Sequence, residues 1–129
     1  MGEVQKKLIQ DRLKQAQESL DEARALLAEG AELSFVMNGI YYAFLYPVLG
    51  LLRARGIEAP MQSVAISLFA REFVQKGDFD HRFMDAIRKA FDLRPACACE
   101  GEKKATREEI GQLLPLAQEF LEIVRQVIA

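Results

Sequence analysis

Asn38, Tyr41, Tyr42 and Tyr46 fall close together in the most apolar stretch of the chain. Phenol and amide groups held there need hydrogen-bond partners, from neighbouring helices or from a ligand at a groove. Core packing explains the rings as well as a site does, so Asn38, Tyr41 and Tyr42 are candidate binding residues only. A second cluster is basic. Lys103, Lys104 and Arg107 follow Arg94 and make the best local site for a phosphate, although a charge run in a linker is commonly a solvated surface. His81, the only histidine, falls in the first turn of a helix after Asp80 and reads as a surface residue. Imidazole catalysis needs a nucleophile and an orienting partner, and a metal needs several ligands. Cys97 and Cys99 supply at most two thiolates where structural zinc takes four ligands, unless two subunits share a site. Glu18, Asp21 and Glu22 line an outer helix face, and Glu108 and Glu109 suit the positive end of a helix. No glycine-rich phosphate loop is present. No catalytic residue, metal site or cofactor is assigned from these types and spacings.

The elements that position these residues are all helical. Ile9, Leu13, Ala16, Leu20, Ala23 and Leu27 recur at spacings of three and four, with Lys14, Gln17, Glu18, Asp21 and Glu22 facing away, and Gly30 ends that helix. A second helix should run from about Glu32 to Arg55 and stop at Gly56, with a kink or break at Pro47. A third should start near Pro60 and reach Lys76, its inner face formed by Val64, Ala65, Leu68, Phe69 and Phe73. Asp78 or Asp80 then caps a fourth that turns Phe83, Ile87 and Ala90 inward and ends before Pro95. An irregular segment follows from Arg94 to Ala105. Thr106 and Glu109 form a capping box opening a fifth helix, with Ile110, Leu113, Ala117, Phe120, Val124 and Val127 inward and a bend at Pro115. No segment alternates long enough to be a strand. The expectation is an all-α compact bundle of about five helices, one domain spanning 1–129.

Composition bounds the rest. Seventeen basic and nineteen acidic residues leave a net charge of −2, so any RNA contact must come from a local patch. Half the residues are hydrophobic and 28% are charged, the balance of an ordinary globular domain. The first residues open directly into a charged helical pattern, and the two cysteines are too close to staple a fold. We therefore expect a cytoplasmic protein. Leu33 to Leu52 carries no charge and is long enough to cross a bilayer, but Ser34, Asn38, Gly39, Pro47 and three tyrosines favour a buried central helix.

Ala23 to Gly30 (Ala-Arg-Ala-Leu-Leu-Ala-Glu-Gly) and Asn38-Gly39-Ile40-Tyr41-Tyr42-Ala43-Phe44 resemble the HEPN domains, in particular a small prokaryotic branch with a Tyr-Tyr-Ala helix. Ser67-Leu68-Phe69 with Phe73-Val74-Gln75-Lys76-Gly77 resembles that branch's third helix, and Ala90-Phe91-Asp92-Leu93-Arg94 the stretch that reaches its arginine. The resemblance implies an all-α homodimer, often encoded beside a minimal nucleotidyltransferase as in toxin–antitoxin pairs. Many such domains are ribonucleases with an Arg-x4-6-His motif near the dimer interface. There the arginine would hold the scissile phosphate and the histidine would move a proton. Arg94 matches the arginine, but Pro95, Ala96, Cys97, Ala98, Cys99 and Glu100 follow it and the histidine is missing. The branch's Asp-Tyr is missing as well, Gly39 stands where it usually has arginine, and Gln62 where it often has histidine.

The expected function is a non-catalytic HEPN-like interaction module. It would be a homodimer that partners a minimal nucleotidyltransferase and binds a nucleotide or RNA. Candidate binding residues are Asn38, Tyr41, Tyr42, Arg94, Lys103 and Lys104. The alternative is a metal-independent, toxin-type ribonuclease with a degenerate motif, using Arg94 with Glu100 or a thiol.

Overall fold

A computed structural model describes residues 2–95 and 104–128. Its helices follow the apolar periodicity: α1 (Glu3–Ala28), α2 (Leu33–Ala54), α3 (Gln62–Phe69), α4 (His81–Leu93) and α5 (Arg107–Ile128). No strand occurs among the described residues. Cys97, Cys99, Glu100 and Lys103 lie outside the described residues.

The helix ends are set by local chemistry. After α2, Gly56 adopts φ +72°, which lets Gly56 N donate to Arg53 O (2.9 Å) and Ile57 N to Leu52 O (2.9 Å). This left-handed cap satisfies carbonyls that the helix would otherwise leave open. Asp80 caps α4, its carboxylate accepting from Arg82 N at 2.9 Å. Both bonds of the capping box form at α5: Glu109 N donates to Thr106 Oγ1 (3.1 Å) and Thr106 N to Glu109 Oε1 (3.0 Å).

Several expectations need correction. Of the kink or break expected at Pro47, the break does not occur: α2 is continuous from Leu33 to Ala54 with the proline buried inside it. A proline inside a helix costs about 3 kcal/mol; packing of α2 against α1, α3, α4 and α5 outweighs that. α5, where a bend is expected at Pro115, also continues through that proline, which is exposed. The third helix does not continue regularly to Lys76. It widens into a π-helical turn over Ala70–Val74, with Gln75 N donating to Ala70 O at 2.9 Å, where the consecutive residues Phe73 and Val74 are both buried. Finally, Val127 is 55% exposed, and Ile128, four residues after Val124, packs against the core instead. Gln17 also does not simply face water: it bonds across to Gln118 and Arg125 of α5.

The core surrounds α2, which buries twelve residues. Phe120 of α5 is its hub, with ring centroids 5.5 Å from Phe69, Phe79 and Phe83 and 5.9 Å from Phe44. Such offset and edge-on pairs add about 0.5–1.5 kcal/mol each beyond area burial. The run from Leu33 to Leu52 is thus the central helix of the bundle. On one side of α2, Gly39 allows close approach to α1. A Cβ there would lie 3.1 Å from Ala23 Cβ and 3.2 Å from Ser19 O.

Candidate functional site

Where α4 ends, Arg94 turns to an extended conformation (φ −65°, ψ 145°) and its side chain folds back along aromatic rings. The guanidinium carbon is 4.0 Å from the Phe91 ring centroid and 5.6 Å from that of Tyr41. Both are cation–π distances. Tyr41 is 1% exposed, and its hydroxyl donates to Gln62 Oε1 at 2.6 Å. Burial pushes the Tyr41 phenol above its ordinary pKa, while the neighbouring Arg94 pulls it partly back.

From Tyr41 the aromatic contacts continue outward. Tyr42 meets Tyr41 edge-on at 5.2 Å, and Tyr46 lies 5.5 Å beyond Tyr42. Both Tyr42 and Tyr46 are half-buried, and Arg12 of α1 closes the row 5.7 Å from the Tyr46 ring. The result is a row of rings with an arginine at each end. It can bind by stacking and by placing cationic forks on an anion.

Of the residues singled out from the sequence, Tyr41, Tyr42 and Arg94 come together. Asn38 makes no side-chain hydrogen bond to them among the described residues; it is half-buried one turn before Tyr42 on α2. Lys104 is exposed just ahead of α5, and Lys103 lies outside the described residues. Gln62 and Arg12 were not expected in the site. Gln62 was visible only as a departure from the family pattern, and Arg12 only as a charge on α1. His81 is exposed in the first turn of α4. Arg94 follows the other end of that 13-residue helix, about 20 Å away at 1.5 Å per residue. Within one chain, the sole histidine and this arginine cannot act on the same phosphate.

Among the described residues the chain is a strand-free bundle of five α-helices, with Arg94 following the fourth and lying beside the Tyr41–Tyr42 pair of the second. The HEPN domain model matches residues 9–127, and the chain belongs to that family. A UPF0332 protein of Thermotoga maritima is 29% identical over 95% of this chain and 92% of its own length. A candidate toxin of Methanocaldococcus jannaschii is 27% identical over 90% of this chain and 78% of its own.

Proposed function

We propose that this chain is a non-catalytic HEPN module of the cytoplasm, a homodimer that works with a minimal nucleotidyltransferase and binds a nucleotide or RNA at the Tyr41–Tyr42–Arg94 corner. One observation carries the reading: Arg94 is kept and ordered against Phe91 and Tyr41, but the only histidine sits at the far end of α4. Phosphate can be held there, while the imidazole that would move a proton is out of reach. Loss of a positioned acid or base costs roughly two to four orders of magnitude in rate.

The second reading, a toxin-type ribonuclease, is favoured by the relative named as a candidate toxin and by the retained Arg94. Incubation of purified protein with RNA separates the two. We expect no cleavage above a contaminant control, with or without chelator, together with RNA or nucleotide binding that Arg94→Ala weakens. A defined cleavage product that disappears in Arg94→Ala would establish the ribonuclease instead. Native pull-down, with identification of bound protein and RNA, tests the nucleotidyltransferase partnership.

A further inference from the structure

Two arginines lie at the Tyr46 end of the ring row, away from the Tyr41–Tyr42–Arg94 corner. Arg12 of α1 stands 5.7 Å from the Tyr46 ring. Arg53 lies two turns beyond Tyr46 on α2, on the partly exposed line that runs Tyr42, Tyr46, Leu49, Arg53 at spacings of four and three. Neither arginine is in an ion pair among the described residues. Their guanidinium groups meet neutral amide oxygens instead, Arg12 that of Gln15 and Arg53 that of Gln5, each at 3.3 Å. α2 itself carries no carboxylate from Leu33 to Ala54. In a chain of net charge −2, this strip is therefore a local positive field with aromatic rings in its middle.

We propose that a single strand of RNA lies along the row, with one phosphate on Arg94, successive bases on Tyr42 and Tyr46, a second phosphate on Arg12, and Arg53 continuing the path. The proposal rests on the Tyr41–Tyr42–Arg94 reading above and adds the length and strandedness of the ligand. Three features select a strand. First, the cations stand at both ends: steps of 5.6, 5.2, 5.5 and 5.7 Å lead from Arg94 through Tyr41, Tyr42 and Tyr46 to Arg12, a span of up to about 22 Å. A mononucleotide carries its phosphate on one side of one base and engages one end only.

The second feature is spacing. The ring-to-ring steps exceed the roughly 3.4 Å rise of stacked nucleotides, so each ring takes a base drawn away from its neighbour. A single strand can splay its bases in this way, whereas an A-form duplex keeps them stacked on each other. Third, Tyr42 and Tyr46 pack against the core yet stay half-exposed, and their planes differ by only 31°. Such a fixed pair is a stacking platform that accepts any base, because every base has a π-face.

Competition against labelled hexauridylate tests the path. Uridine monophosphate, diuridylate, tetrauridylate and hexauridylate should compete with rising affinity, gaining about 10-fold or more from one nucleotide to four. Arg94→Ala should weaken every length. Tyr46→Ala should weaken hexauridylate by roughly 10-fold and leave the monophosphate unchanged, and Tyr46→Phe should retain full affinity. Arg12→Gln should weaken hexauridylate and reduce the slope of log affinity against log salt by about 0.7, the share of one phosphate contact on a single strand. A mere change in helix packing would not move that slope. An RNA duplex should not compete. Equal competition by the monophosphate and hexauridylate, or by the duplex, would overturn the single-strand path and leave the Tyr41–Tyr42–Arg94 corner standing. A lower light-scattering mass for Tyr46→Ala than for the unmodified chain would make the row a contact between copies and overturn the path as well. Competition by none of the four uridylates would overturn both.

Discussion

Tyr41 shows how much a single side chain can be asked to do in this site. Its ring is core, while its hydroxyl reaches Gln62 and its face meets Arg94. Tyr41→Phe should keep the ring contacts and lose the bond to Gln62, lowering stability by about 1 kcal/mol in urea denaturation. The pH dependence has a definite sign. Burial raises the phenol pKa in the folded state, so its contribution is complete below its ordinary value near 10 and is lost as pH rises through the folded value. Stability should therefore fall on the alkaline side, and more steeply in the native chain than in Tyr41→Phe. The tyrosine pair and Arg94 were legible in the sequence, because polar rings in an apolar helix stand out and Arg94 matches the arginine of the HEPN resemblance. The bond to Gln62 was not. It joins residues 21 apart in sequence, and only tertiary packing brings them together.

Among the elements, the contact of α1 with α2 depends on Gly39. Gly39→Val should force Ala23 and the Ser19 carbonyl away and cost about 1–3 kcal/mol, read as a shift of the denaturation midpoint. This also gives a physical account of the glycine at a position where related sequences were expected to carry arginine: here the space is filled by α1. At the start of α5, the Thr106 N–H holds the Glu109 carboxyl below the usual carboxylate range, with the Thr106 hydroxyl and Lys89 acting the same way. A depressed carboxylate contributes stability above its unfolded pKa and loses it as pH falls through the folded one. Acid titration followed by circular dichroism should show that loss, and Glu109→Gln should flatten it. Helix identities and both caps could be read from the sequence because periodicity and capping are local. The uninterrupted passage of α2 through Pro47 and the π-helical turn at Ala70–Val74 could not be, because packing from distant helices decides them.

At the scale of the whole molecule, far-UV circular dichroism should be dominated by helix, the outcome required by α1 to α5. The all-α class was readable because every apolar stripe has a helical period. Which stripe of α2 stays uncovered was not, since that depends on where α1 and α4 dock. One consequence concerns the order in which the chain is made. Phe120 belongs to the last helix in sequence, yet its ring touches Phe44, Phe69, Phe79 and Phe83, drawn from three earlier helical stretches and a turn. On the ribosome, α1 and α2 can pair early through contacts close in sequence, but those rings stay in water until α5 emerges. A chain halted before Arg107 would carry an open aromatic cleft, the sort of surface that holdase chaperones grip and proteases clear. Synthesis arrest in that interval should therefore shorten the lifetime of the nascent protein far more than the loss of 23 residues would suggest.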